Sequence, residues 1–109
     1  MTRRVDVRIP GMRVNETECR VLSAIASVAS DRCGYRCAEI GMSYREIRNA
    51  SAVCGHTVMR TCASLRLKGL LEVNAHKLAN GGTAANTYRV TALGLEVIRM
   101  AEELGAFAE

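Results

Sequence analysis

The segment Cys54-Gly-His-Thr-Val-Met-Arg-Thr-Cys-Ala-Ser-Leu-Arg-Leu-Lys-Gly-Leu-Leu71 carries two signals at once. Val58, Cys62 and Leu65 recur at i, i+4 and i+7, the period of a helix with one apolar face, while His56, Met59, Arg60 and Ala63 cluster on the opposite face. The spacing predicts a helix over 55–68 that docks by its aliphatic side and leaves the other side free. Gly69 then stands where a left-handed residue closes a helix, a conformation glycine enters without steric penalty.

Downstream, Leu70 to Val73 and Thr87 to Val90 are rich in β-branched and aromatic residues and flank the turn-forming Asn80-Gly81-Gly82, so they predict a long-looped hairpin. Thr91 is placed to cap a last helix from Ala92 to about Leu104. Leu93, Val97, Met100 and Leu104 fall on the face expected to pack inward, and Leu95 and Ile98 project from another side. A second apolar strip exceeds what one small core consumes. The expectation is therefore that 92–109 forms a homodimer interface through Leu95 and Ile98.

Upstream, Ser43 and Glu46 form a capping box that starts a short helix whose apolar residues, Tyr44, Ile47 and Ala50, are too few to sustain it alone. Asp31 to Gly41 breaks the helical period. Before it, Asn15 and Glu18 form another capping box, followed by a broad stripe of Val21, Leu22, Ile25, Ala26, Val28 and Ala29, which predicts a helix over about 16–30. Residues 1–14 carry Arg3, Arg4, Arg8 and Arg13, and Pro10-Gly11 near their end argues for a flexible basic arm.

A chain of 109 residues with 49% hydrophobic and 24% charged side chains fits one globular domain rather than a disordered tail. The charged start lacks the apolar core of a secretory signal and no stretch approaches the roughly 20 apolar residues of a membrane span, so a cytoplasmic protein is expected. The five cysteines are odd in number, which argues for reduced thiols. Net charge is +4 and unevenly placed: +3 over 1–14, +4 over 15–91 and −3 over 92–109. Thirteen of the fifteen basic residues are arginine, whose planar fork suits phosphate and guanine, so a polyanionic partner is a natural candidate.

The order helix, short helix, turn, helix, two-stranded hairpin, helix resembles a winged helix-turn-helix domain over about 15–104. Met42-Ser-Tyr-Arg-Glu-Ile47, the Cys54–Leu71 segment and Asn86-Thr-Tyr-Arg-Val-Thr-Ala-Leu-Gly94 carry the resemblance. The last is similar to MarR-like bacterial regulators, and its wing also to phage and plasmid replication proteins. The resemblance implies an α+β, mainly helical fold: a three-helix core, a two-stranded wing and a C-terminal helix, with 15–91 as the domain proper. It implies double-stranded DNA as partner, with Gly55, His56, Thr57, Met59 and Arg60 toward the bases. Arg60 fits guanine O6 and N7 as the best single base reader, and fits a phosphate anchor about equally well. Ser43, Tyr44 and Arg45 would meet the phosphate backbone at the start of helix two, although Tyr44 suits a core position too. The wing has only Lys77, plus His76 when protonated, so its contact is expected to be weak. Arg3 and Arg4 would either enter a neighbouring minor groove or hang in solvent.

Two other readings stay open. A winged helix can serve as a protein-interaction or phage/plasmid replication-assembly module, which the sparse wing charge and acidic C-terminus favour. A thiol- or metal-responsive regulator would use Cys33 and Cys37, with Cys19 or a second chain completing a site, but a second short-spaced ligand pair is missing and no metal or other cofactor is expected. Catalysis finds no convergent residues: His56 and His76 are the only histidines, Cys54 and His56 diverge on a helix, and Gly81-Gly82 lacks the Lys-Ser/Thr of a phosphate loop.

Overall fold

A computed structural model describes residues 7–9, 12–75 and 86–103. Arg3, Arg4, His76, Lys77 and Leu104 lie outside them. The elements are β1 (Val7–Ile9), β2 (Met12–Val14), α1 (Glu16–Cys33), β3 (Ile40–Gly41), α2 (Tyr44–Ser51), α3 (Gly55–Leu67), β4 (Leu71–Asn74), β5 (Thr87–Val90) and α4 (Ala92–Glu103).

Both capping boxes form. Asn15 Oδ1 accepts from Glu18 N at 2.8 Å while Glu18 Oε1 accepts from Asn15 N at 3.1 Å. Ser43 Oγ accepts from Glu46 N at 3.1 Å while Glu46 Oε1 accepts from Ser43 N at 3.2 Å. Each reciprocal pair satisfies backbone donors that a helix start leaves open, which fixes where α1 and α2 begin. α1 runs three residues beyond the expected end at about residue 30, into a last turn that faces solvent: Asp31, Arg32 and Cys33 are all exposed. It closes at Gly34 with φ +88°. Gly69, at φ +74°, follows α3 in the left-handed conformation its position required.

Val21, Leu22 and Ile25 of α1 pack with Ile47 of α2 and with Val58, Cys62 and Leu65 of α3 in one buried cluster. Each such side chain removed from water contributes about 1.5–3 kcal/mol. The short α2 is held from both sides, by buried Ile47 and by Arg32, which bonds Gly41 O at 2.9 Å and Glu46 Oε2 at 2.7 Å.

Three expectations need correction. The hairpin gains a third strand, giving the order β3-β5-β4, all antiparallel, with Ile40 opposite Tyr88. Two residues are too short a strand for periodicity to detect. Within the segment read as a flexible arm, β1 and β2 pair antiparallel with Val7 opposite Val14 and Ile9 opposite Met12. Lastly, α4 is rotated from its expected orientation: Gly94, Val97, Ile98 and Ala101 are buried and Leu93 is exposed. Gly94 sets that rotation. A Cβ built there would collide with Leu70 O, so the helix backbone approaches the backbone at Leu70, just ahead of β4, closer than any side chain permits. Ile98 is thus 1% exposed within its own chain, and Leu95 packs partly buried against the same core. The surplus apolar strip that argued for a dimer through Leu95 and Ile98 is spent on the chain's own core.

Among the described residues, no helix is long and apolar enough to cross a membrane.

Candidate nucleic-acid interface

The last turn of α2 meets the first turn of α3. A Cβ at half-buried Gly55 would touch Arg48 Cδ at 3.7 Å, so the Arg48 stem crosses the start of α3. The two helices are joined by Ala52, a non-glycine residue at φ +59°, and by buried Val53. Ser51 Oγ bonds back to Ile47 O at 2.6 Å and closes α2 tightly.

α3 divides as its periodicity requires. Val58, Thr61, Cys62 and Leu65 are buried, and His56, Met59, Arg60, Ala63, Arg66 and Leu67 are exposed. At about 100° per residue the exposed six occupy a single arc of roughly 120°. Thr57 is half-buried at its edge. Beyond that edge lies a notch of about 360 Å³ lined by Arg60, Thr57, Thr61 and Ser64 of α3 and by Asn15, Thr17 and Glu18 at the start of α1. The first turn of α1 therefore borders the free face of α3.

Ion pairing sorts the arginines. Arg20, Arg32, Arg36, Arg89 and Arg99 each pair with a glutamate, as does Lys68. Arg45, Arg48, Arg60 and Arg66 are exposed and make no ion pair with any described residue. All four sit on α2 and α3. α3 contains no acidic residue, and the one on α2, Glu46, is held by Arg32, which keeps its carboxyl below the usual range. Four arginines without a carboxylate partner among the described residues thus lie on two adjoining helices, a distribution that attracts a polyanion. The sequence reading included Arg45 and Arg60. The helical period also puts Ala63 on the free face, whereas Arg48, Arg66, Leu67 and Thr17 join the surface through pairing and adjacency, which are three-dimensional properties.

Ser43 is committed to capping α2, Tyr44 is 38% exposed, and Arg45 is exposed beside them. Tyr44 also lies close to Tyr88 of the sheet, whose phenol is pushed up to about 12 mainly by burial, against the lowering effect of Asn86, which donates to it at 3.4 Å. Tyr44 is therefore neither enclosed in the core nor clear of the sheet. In the wing, Arg89 faces Glu72 across the β4–β5 pair and is neutralised there.

The thiols are dispersed. Cys19 is buried in the first turn of α1 and Cys33 is exposed in the last, about 21 Å apart along the helix, so Cys19 is not available to complete a site with Cys33 and Cys37. Among the described residues, no group of three His, Cys, Asp or Glu side chains is gathered to hold a metal ion. Burial pushes the Cys62 thiol up to about 11, which keeps it protonated and inert. Cys54 is exposed at the N-cap of α3 and caps nothing with its side chain. A groove of about 640 Å³ beside the wing holds Glu39 and Glu72, but Asn74 donates to the first at 2.9 Å and Arg89 pairs with the second.

No family model matches the chain, and no curated protein sequence is similar to it. Solved structures do match. A point mutant of Staphylococcus aureus MepR superposes with a TM-score of 0.60 at 16% identity, covering 84% of this chain and 58% of the other. Mycobacterium tuberculosis MosR, a transcriptional regulator, gives 0.57 at 21%, covering 84% and 55%. Bordetella bronchiseptica BpsR, described as a protein whose DNA binding is regulated by 6-hydroxynicotinic acid, gives 0.58 at 17%, covering 87% and 66%. The chain has a winged helix-turn-helix fold of the MarR type. It spans a little over half the length of MepR and MosR. Within the winged helix, α2, the turn through Ala52 and Val53, and α3 form the helix-turn-helix, and β4 and β5 form the wing. Arg45, Arg48, Arg60 and Arg66, which have no carboxylate partner among the described residues, all belong to the helix-turn-helix.

Proposed function

We propose that the chain binds double-stranded DNA sequence-specifically, with α3 in the major groove, and regulates transcription. The observation that carries this reading is the sorting of arginines: Arg45, Arg48, Arg60 and Arg66 on α2 and α3 have no carboxylate partner among the described residues, while Arg20, Arg32, Arg36, Arg89 and Arg99 each pair with a glutamate. A helix enters the major groove when one side is anchored and the other offers side chains to base edges, and α3 meets both conditions. Arg45 and Arg48, with Ser43 and Tyr44 at the start of α2, are positioned for the phosphate backbone.

The arc of α3 bears on Arg60. Taking about 100° per residue, Arg60 and Arg66 lie roughly 60° to either side of Ala63, at the margins of the exposed face. Arg60 also borders the hydroxyl-lined notch at the α1 start. That placement favours the phosphate role over the guanine-reading one. The base-facing centre then falls to His56, Met59 and Ala63, with Gly55 and Thr57 at the leading end. Homodimerisation through Leu95 and Ile98 is not part of this proposal, because Ile98 is enclosed by its own chain.

The test is selection of bound fragments from a random duplex pool, followed by gel-shift titration of the enriched sequence against a scrambled one. Enrichment of a common motif with tighter binding than the scramble supports the proposal. Failure to retain any duplex at low salt refutes it.

A further inference from the structure

The middle of the α3 arc is apolar. Met59, Ala63 and Leu67 fall on one line at i, i+4 and i+8, about 12 Å long, and all are exposed. Met59 is 57% exposed and Leu67 87%, the highest value of any large hydrophobic side chain among the described residues. None of the three offers a strong hydrogen-bond donor or acceptor. On either margin of this strip stand Arg60 and Arg66, unpaired, and the helix carries no carboxylate.

The complement of such a surface has an apolar floor and anionic walls. A second copy of the same face is a poor fit, since it would set arginine against arginine. The major groove is a good fit: phosphates form its walls, and the one apolar group displayed on its floor is the C5-methyl of thymine. Resting on the DNA-binding reading above, we propose that Met59 and Ala63 recognise thymine methyl groups, with Leu67 extending the contact, while Arg60 and Arg66 hold the flanking phosphates. Specificity then comes mainly from shape and methyl contact, and His56 is left as the hydrogen-bonding reader. Met59 and Ala63 are separated by about 6 Å along the axis, on the order of two base-pair steps, so the recognised thymines are expected to be closely spaced.

The experiment uses the full chain and the duplex enriched from the random pool, remade with deoxyuridine in place of each thymidine in turn. This exchange removes one methyl and leaves every hydrogen-bonding group unchanged. Fluorescence anisotropy should show about fourfold weaker binding at one or two positions, the change expected for losing one buried methylene-sized contact. Met59→Ala, an exposed substitution that circular dichroism should show to be folded, should bind the thymidine and deoxyuridine duplexes alike at its position. A wild-type protein that prefers the enriched duplex yet binds every deoxyuridine version equally would overturn the methyl inference and leave the DNA-binding proposal standing. No affinity for any duplex would overturn both and point to an acidic protein as the occupant of this face.

Discussion

Glu18, at the start of α1, and Lys68, at the end of α3, form an ion pair whose carboxylate is almost wholly buried. Lys68 Nζ donates to Glu18 Oε1 at 2.8 Å and Oε2 at 2.7 Å, and to Arg13 O at 2.7 Å, while Ser64 Oγ donates to Oε2 at 2.7 Å. The lysine thereby ties together β2, α1 and the helix proposed to read DNA. Lys68→Met would leave a buried carboxylate without its cation, a change that costs on the order of 3 kcal/mol. Urea unfolding should show that loss, and a cost below about 1 kcal/mol would mean that the pair adds little.

The same pair sets a pH dependence. Burial raises the Glu18 pKa, but hydrogen bonds from Lys68, Ser64 and the Asn15 backbone outweigh it and hold the carboxyl below its ordinary value of 4.5. A group depressed in the folded state contributes stability that is present above its unfolded pKa and is lost as pH falls through the folded one. Stability attributable to Glu18 should therefore hold at neutral pH and decline below about pH 4.5. Denaturation midpoints followed from pH 7 to pH 3 should fall less steeply in Glu18→Gln than in the wild type. Parallel curves would assign the acid limb to other carboxylates.

Gly94 admits no side chain. A Cβ there would sit 2.3 Å from Leu70 O and 2.9 Å from Val90 Cγ1, and the first of these is backbone that cannot swing aside. Although alanine is the better helix former, Gly94→Ala should destabilise by about 1–3 kcal/mol through overpacking. Thermal unfolding would register this as a Tm lower by several degrees. A raised Tm would show that α4 can shift outward at no cost.

Ile98 offers a direct contrast between burial and interface. At 1% exposure, Ile98→Glu places a carboxylate in the core, so circular dichroism should report loss of cooperative folding rather than a well-folded monomer. A folded variant with reduced mass in light scattering would instead restore the interface read from the sequence.

The elements that organise this fold were legible wherever side-chain chemistry acts locally. Asn15 with Glu18, and Ser43 with Glu46, mark helix starts because the capping bonds span three residues, and the buried line Val58, Cys62 and Leu65 marks α3 by its period alone. What escaped depends on contacts remote in sequence. Ile40–Gly41 is a strand only because Tyr88 and Thr87 lie beside it. Ile98 looks surplus until Gly94 is seen to rotate α4 onto Leu70. Pro10-Gly11 argues for a flexible arm, yet Val7–Ile9 and Met12–Val14 pair as strands through cross-strand contacts that periodicity does not display. The candidate site was half legible: periodicity exposes His56, Met59 and Arg60, but nothing in the order of residues tells that Arg32 and Arg89 are neutralised while Arg48 and Arg66 have no carboxylate partner among the described residues.

That distinction allows the most direct test of the DNA-binding account. Affinity for the enriched duplex, measured by anisotropy across a series of salt concentrations, should fall linearly on logarithmic axes, with a slope of about −0.9 for each phosphate neutralised. Arg48→Ala and Arg60→Ala should each make that slope shallower by about 0.9, while Arg20→Ala and Arg99→Ala, which remove arginines already paired with glutamates, should leave it unchanged. Equal effects from all four substitutions, or a binding curve indifferent to salt, would contradict the assignment of α2 and α3 as the DNA-contacting surface.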